Sequence, residues 1–226
     1  MRQREFIDKR QHGQLAPSIR FAAEIGLPIN TFTTIQFGAT ACEPERVGPA
    51  FRNLIRNRFT PWLRPTKSRP IDYRPAAWIY WIENVHEYEH HPHGTHVHWA
   101  AHIPPERRAA FEIKLPEWVV AVGGTIFDSN VAIQVKDADN PRGLPLYIGK
   151  GLKPQDAKKR RIRPSPQGVV HGRRLSISEA INISAINAHR DRLRAAAGPK
   201  SLVEQASPFG WPANDYEKQL NIAPWD

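Results

Sequence analysis

The chain is poor in cysteine and has no long apolar run. Cys42 is its only cysteine, which excludes an intrachain disulfide framework and every multi-cysteine zinc or iron–sulfur site. No stretch approaches the roughly 20 apolar residues needed to cross a bilayer, and the charged amino terminus lacks the apolar run of a signal peptide. These absences predict a soluble protein of the reducing cytoplasm with no membrane partner.

Acidic residues are scarce relative to basic ones. The 226 residues include 22 Asp and Glu against 32 Lys and Arg, which gives a formal charge of +10 at pH 7. This imbalance favours polyanionic partners, above all nucleic acid, although ribosomal and membrane-surface proteins share it. The length suits one domain with a buried core and is too short for two unrelated catalytic modules.

The spacing of apolar residues predicts the order of the elements. Strands are predicted over residues 30–37, 77–85, 95–103 and 132–135, and helices over 47–63, 106–122, around Tyr147, and over 178–197 with Ser176 or Ser178 as cap. The order βαββαβα up to Tyr147 predicts an α+β fold, an antiparallel sheet with helices mainly on one face.

Two flanking regions lack such spacing. Residues 1–26 are basic and polar and predict a flexible leader that could touch a DNA backbone. Residues 198–226 are rich in Pro, Gly and Trp and predict an irregular tail, so the predicted domain covers residues 27–197. Within it, residues 153–163 are predicted to form a basic loop.

His96 and His98 carry the most informative spacing in the chain. Alternate residues of a strand share a face, so both imidazoles would point the same way and could bind one cation. Glu83, on the preceding strand of a hairpin, is the preferred third ligand, with Glu87 and Glu89 of the connecting loop as competitors. Two imidazoles and a carboxylate leave coordination positions open for substrate oxygens, and the expected metal is Mg²⁺ or Mn²⁺.

Five further histidines lie near this pair. His102 has the same parity as His96 and His98, so it could contact the substrate or support a metal ligand; in the favoured interpretation it simply ends the strand. The remaining four crowd the loop between the strands and receive no catalytic role: His86, His90, His91 and His93.

Tyr147 and Lys150 form a candidate catalytic pair. A phenol with a reference pKa of ~10 is mostly protonated at neutral pH, so a tyrosine nucleophile needs nearby cations to stabilise its phenolate. Lys150 follows three residues later, on the same face of a helix, and could do this or bind the scissile phosphate. The alternative is that Tyr147 is a half-buried packing residue.

A set of basic residues follows the candidate site and could track the phosphate backbone of a nucleic acid. For any one of them, an exposed residue of a solvated loop is the alternative. The set consists of Lys153, Lys158, Lys159, Arg160, Arg161, Arg163, Arg173 and Arg174.

The array of residues 32–35, Glu83, His96-Val97-His98 and Tyr147-Ile148-Gly149-Lys150 resembles the HUH endonuclease superfamily. The closest likeness is to the single-tyrosine initiators of rolling-circle replication in plasmids and filamentous phages, and it spans roughly residues 30–155. Relaxases and single-strand transposases also use one tyrosine, so the reaction is better specified than the biological process.

The resemblance implies an RRM-like, that is ferredoxin-like, antiparallel sheet with the metal on the strand of His96 and His98. It implies that Tyr147, assisted by Lys150, nicks single-stranded DNA at a replication origin and captures the 5′ phosphate. The free 3′ hydroxyl would then prime synthesis by a host polymerase, with a host helicase to unwind the duplex.

Three other interpretations have specific requirements. A non-catalytic origin-binding or single-strand-binding protein would stack bases on Trp78, Trp81 and Trp99. A GIY-YIG nuclease would need Tyr147 on a strand and a Gly-Ile-Tyr segment upstream, which the sequence lacks. A P-loop around residues 143–151 has the wrong glycine spacing and no Ser or Thr after its lysine, so no helicase motor is predicted.

Overall fold

The computed structural model describes residues 2–64, 75–84 and 94–197. Its strands are β1 (Gln3–Arg4), β2 (Thr31–Gln36), β3 (Trp78–Asn84), β4 (Thr95–Ala101), β5 (Ile133–Asp137), β6 (Val170–His171) and β7 (Leu175–Ile177). Five of them form an antiparallel sheet in the order β5-β2-β4-β3-β7, while β1 pairs with β6. The predicted α+β class with an antiparallel sheet is confirmed, as are the four predicted strands.

The described helices are α1 (Lys9–Gly13), α2 (Leu15–Glu24), α3 (Pro44–Leu54), α4 (Thr60–Leu63), α5 (Arg108–Gly123), α6 (Ser129–Ala132), α7 (Leu144–Gly149), α8 (Pro154–Lys159) and α9 (Ile183–Ala197). A π-helical turn, Ile55–Phe59, joins α3 to α4. The predicted helices over 47–63, over 106–122 and around Tyr147 are confirmed. Residues 153–163, predicted to be a loop, contain α8.

Long helices cover one face of the sheet. Phe51 of α3 and Phe59 of the π turn meet the Trp99 ring of β4 edge-on, with centroids 5.6 and 4.7 Å away. Phe111 and Trp118 of α5 complete this buried aromatic cluster. Trp99 therefore points away from the face that carries His96 and His98, as the two-residue period of a strand requires.

The opposite face is covered as well. Trp81 of β3 and Ala100 of β4 pack there against Leu15 and Ile19 of α2 and Ile148 of α7. Burial on both faces explains why all seven residues of β4 are buried. The candidate site thus lies on a face roofed by short helices rather than on an open sheet.

The prediction of a flexible leader over residues 1–26 is wrong. This region forms β1, α1 and α2 and belongs to the same unit as the sheet, which spans Met1–Ile186. Its apolar side chains explain the difference, because Ile7, Leu15, Ile19 and Phe21 are all buried in the core of the second face. The spacing of Leu15 and Ile19 is helical, but the surrounding basic residues conceal it.

The C-terminal helix begins later than predicted. Residues 175–177 form the edge strand β7, and the Ser178 hydroxyl accepts a hydrogen bond from the Trp78 backbone N–H at 3.1 Å. The helix begins at Ile183, where the Asn182 side chain accepts a hydrogen bond from the Ala185 N–H. Neither predicted serine caps it.

The second unit, Asn187–Asp226, is described only as far as residue 197, where it is helical. The predicted irregular tail over 198–226 lies outside the described residues, as do the loop acids and histidines between β3 and β4. Within the described ranges, no helix combines the length and apolar character needed to span a membrane.

Candidate metal centre

Strands β3 and β4 bring Glu83, His96 and His98 together. The antiparallel register places Glu83 directly opposite His96 and Trp81 opposite His98, so all four side chains share one face. The Glu83 Oε2 atom lies 3.3 Å from His96 Nε2 and 3.8 Å from His98 Nε2. One donor atom from each of Glu83, His96 and His98 lies within 4.8 Å of the others, so the group could hold a metal ion.

His96 is oriented by its own strand end. Its Nδ1 atom lies 3.3 Å from the Gly94 carbonyl oxygen, which can only accept a hydrogen bond. Nδ1 therefore carries a proton, and Nε2 is the nitrogen directed at Glu83. A backbone carbonyl on the outer nitrogen is the usual way in which proteins present a histidine to a metal.

His98 directs one ring nitrogen toward the position that a cation could occupy. Its Nδ1 atom is 3.1 Å from the Thr34 hydroxyl of the neighbouring strand β2. Its Nε2 atom is buried and makes no hydrogen bond of ordinary length with the described residues, since the Glu83 Oε2 atom is 3.8 Å away. A buried polar atom without a partner is rare in folded proteins, and a divalent ion bound by Glu83 and His96 would satisfy this one. The observed donor set thus fits a metal.

The protonation states also suit a cation. Burial lowers the pKa of His98, although Glu83 opposes this effect, so the neutral imidazole is favoured. Burial alone would raise the pKa of Glu83, but the polar interactions with the nearby His96 and His98 imidazoles outweigh it and hold that pKa below its usual range. The carboxylate is anchored further by the Trp81 indole N–H, which donates to Glu83 Oε1 at 2.9 Å.

Tyr147 and Lys150 lie on the same face as the three candidate ligands. Helix α7 places the Tyr147 ring 5.8 Å from the His98 ring and 5.8 Å from the Trp81 ring, between centroids. The Lys150 Nζ atom lies 4.5 Å from the centre of the Tyr147 ring. Because Tyr147 is on a helix, the strand that a GIY-YIG nuclease requires at this position is not present.

The Tyr147 hydroxyl is far from ionised. Burial raises the pKa of Tyr147, and the negative charge of Glu83 raises it further. Positive charge beside the phenol is therefore essential to any role as a nucleophile. Lys150 supplies one such charge, and a cation bound at Glu83 would offset the effect of the Glu83 charge on the pKa of Tyr147.

His102 is not part of the cluster. Strand β4 ends at Ala101, and His102 Nδ1 lies 2.8 Å from the Pro28 carbonyl oxygen. This contact fits the favoured interpretation that His102 ends the strand. The competing ligands Glu87 and Glu89 fall outside the described residues, so the described structure bears only on Glu83.

Most of the predicted nucleic-acid contacts are exposed, but Arg174 is buried. Its exposed fraction is 1%, and its guanidinium donates to the carbonyls of Arg4, Gln167 and Gly168. Burial lowers the pKa of Arg174 to about 10. Arg174 therefore fastens backbone segments together, and its prediction as a surface phosphate contact is wrong. The exposed members of the set are Lys153, Lys158, Lys159, Arg160, Arg161, Arg163 and Arg173.

The stacking platform proposed for a non-catalytic protein is largely inaccessible. Trp81 and Trp99 are 1% and 0% exposed, so neither can stack on a base, and only Trp78 is partly exposed. Thr34 and Phe32 also contact His98, although neither was predicted to be a site residue. Strand parity could have found both, since Thr34 pairs with His98 and the Phe32 ring stacks on the His98 ring at 5.5 Å.

Comparisons with protein-family models, with curated proteins and with solved structures found no match to this chain.

Replacing Thr34 by valine should weaken metal binding. The valine keeps the shape and the strand preference but removes the hydroxyl that contacts His98 Nδ1. Loss of such an outer contact lowers metal affinity by about 10-fold. Calorimetric titration with Mn²⁺ measures the change in affinity. Thr33→Val, on the other face of β2, is the matched control. Equal affinities for the two variants would contradict a role for Thr34.

Proposed function

We propose that the protein is a metal-dependent nicking and joining enzyme for single-stranded DNA, with Tyr147 as nucleophile. The observation that supports this most is the placement of Tyr147 and Lys150 against the Glu83, His96 and His98 cluster on one face of the sheet. These elements are far apart in sequence, and a purely structural tyrosine would need neither the lysine nor a cation site beside it.

In the proposed reaction the Tyr147 oxygen attacks the phosphorus of one DNA phosphodiester. A tyrosine O–P bond forms, the bond to the upstream O3′ breaks, and the phenol proton leaves while the departing oxygen becomes a 3′ hydroxyl. The 5′-phosphotyrosine conserves the energy of the phosphodiester, so the reverse attack rejoins the strand. When bound, a divalent cation supplies positive charge for the nonbridging oxygens.

Lys150 has two uses in this scheme. Its ammonium lies against the Tyr147 ring, where it stabilises the negative charge that develops on the phenol oxygen. It can also contact the phosphate that Tyr147 attacks. Glu83 and the two histidines hold the cation, for which we propose Mg²⁺ or Mn²⁺, the latter being better matched to imidazole nitrogen.

We further propose that the biological process is initiation of rolling-circle replication of a plasmid or phage. The partners would be single-stranded origin DNA, a host polymerase that extends the 3′ hydroxyl, and a host helicase. Relaxases and single-strand transposases perform the same chemistry. A replication initiator differs from these enzymes in the fate of the nicked strand, which is extended from its 3′ end and not transferred.

The decisive experiment uses a mixed-sequence single-stranded DNA library labelled at its 3′ ends. After incubation with Mn²⁺, denaturing electrophoresis should show label that migrates with the protein, because Tyr147 retains the 5′ side of the downstream fragment. EDTA should prevent the adduct. DNA binding that persists in EDTA, with no adduct under any metal condition, would instead support a non-catalytic binding protein.

The exposed basic residues of α8 should contribute to DNA affinity without regard to sequence. Lys158 and Lys159 lie in its last turn and are both exposed. Replacing both by alanine should lower affinity for all single-stranded sequences and reduce the salt dependence by about 0.7 per lost phosphate contact. Fluorescence anisotropy over a salt series measures this. Lys114→Ala, on the exposed side of α5, is the control, and an unchanged slope in the double variant would refute the contact.

A further inference from the structure

The N-terminal segment contacts the helix that carries Tyr147. Residues 3–13, here called the N-terminal strap, comprise β1, α1 and the link between them. Ile7 donates its backbone N–H to the Gly151 carbonyl at 2.8 Å, and it forms an isolated parallel bridge with Leu152. Its side chain is 5% exposed. The strap therefore fixes the backbone immediately after α7.

A second contact fixes the start of α7. His12, at the end of α1, is 5% exposed, and its Nε2 atom lies 2.8 Å from the Pro145 carbonyl oxygen. Because a carbonyl can only accept, Nε2 carries the proton and donates it. The strap thus binds α7 at both ends, with Tyr147 between the two contacts.

The packing of α7 against His12 requires a glycine. A Cβ atom at Gly149 would lie 2.9 Å from His12 Nε2 and would also clash with Ile162. Only glycine lets the imidazole approach so closely, two residues after Tyr147. The close approach sets the depth of α7 on the sheet and hence the distance from the Tyr147 ring to His98.

The strap is itself held at its far end. β1 pairs with β6, and the Arg174 guanidinium donates to the Arg4 carbonyl at 3.3 Å. A helix of six residues such as α7 has little stability of its own, so its position must come from contacts with other elements. The strap, which is held by β6 and Arg174 at its other end, provides such contacts at both ends of α7.

We propose that the N-terminal strap positions the nucleophile, with His12 as the residue that holds the Tyr147 helix in register with the metal centre. This inference rests on the proposed function. His12 is a positioning residue that touches no reacting atom. Its loss should slow the covalent step and leave metal binding intact, because the ligands lie on β3 and β4.

The test compares His12→Leu with His12→Gln. Leucine keeps the burial but removes the donor to Pro145, whereas glutamine retains an N–H donor. At saturating single-stranded DNA, the leucine variant should form the covalent adduct about 10- to 100-fold more slowly, the effect of a displacement on the order of 1 Å, and the glutamine variant should recover most of the rate. Affinity for Mn²⁺ should be unchanged in both.

A readout independent of cleavage separates this inference from the proposed function. Amide hydrogen exchange of peptides covering residues 144–152 should rise in His12→Leu, while peptides from β4 stay protected. If the wild-type protein forms no adduct, the proposed function fails and the exchange comparison alone decides on the strap. An unaltered adduct rate together with unaltered exchange at 144–152 overturns the strap.

Gly149→Ala guards against a misfolded leucine variant. The added methyl would push α7 away from His12 and Ile162 from the helix side, with His12 itself intact. We expect slower adduct formation, increased exchange at 144–152 and unchanged Mn²⁺ affinity. A Gly149→Ala protein with the wild-type adduct rate and exchange would overturn the proposal as firmly as the same result for His12→Leu.

Discussion

Tyr147→Phe should abolish covalent capture of DNA and leave the fold intact. The change removes only the hydroxyl, so the ring keeps its contacts with His98 and Trp81 at 5.8 Å. Without the nucleophilic oxygen no phosphotyrosine can form, and we expect the rate of adduct formation to fall by about 10⁴-fold or more. The 3′-labelled library with denaturing electrophoresis measures the adduct, and anisotropy measures DNA binding, which should persist.

Tyr80→Phe is the matched control, because Tyr80 is buried on the opposite face of the sheet in the aromatic cluster of Phe51 and Trp99. It should retain adduct formation. If Tyr147→Phe forms the adduct at the wild-type rate, the nucleophile is another residue, and Tyr147 is the half-buried packing residue that the sequence also allows.

The candidate site was predictable because it depends on strand periodicity. The two-residue period puts His96 and His98 on one face, and the hairpin register adds Glu83 from the next strand. The side on which Tyr147 lies was not fixed by these rules. It depends on how α7 packs over Trp81 and His98. These residues are distant from Tyr147 in the sequence, so local spacing does not predict the contact.

The failures share a cause in long-range packing. Arg174 belongs by charge to a surface set, yet it is buried because carbonyls from Arg4 and Gln167 converge on it from different parts of the chain. The N-terminal helices were missed for a similar reason. They are short, and their apolar residues gain stability only from contact with α7 and the sheet.

The departures from the predicted fold also change the view of the site. An open sheet face would leave Tyr147 to approach from solvent, whereas the observed face is covered by α2 and α7. Burial strengthens every electrostatic interaction at the centre and explains both the raised pKa of Tyr147 and the lowered pKa of His98. The rate of the proposed reaction thus depends on positive charge that offsets the cost of a buried phenolate. Because Glu83 is the charged ligand of that cation, its substitution should have the largest effect on metal binding.

Glu83→Gln should remove most of the metal affinity at little cost to the shape of the site. In the wild-type protein the Trp81 N–H donates to Glu83 Oε1, and the amide oxygen of glutamine can accept the same hydrogen bond. The negative charge that faces the two histidines is lost. Changes to outer contacts alone cost up to about 100-fold in metal affinity, so loss of a charged ligand should cost about 100-fold or more. Calorimetric titration with Mn²⁺ measures it.

Glu83→Gln should also reduce the increase in Tm that Mn²⁺ produces, because an ion that binds only the folded state stabilises it. At a Mn²⁺ concentration about 100 times the dissociation constant, the wild-type protein gains about 2.7 kcal/mol, which for a chain of this length raises Tm by about 5–10 °C. At that concentration Glu83→Gln should gain about 0.4 kcal/mol or less. His102→Ala, outside the cluster, should keep the full shift. Equal shifts for Glu83→Gln and the wild type would place the stabilising ion elsewhere, since the charge of Glu83 would then contribute nothing to its binding.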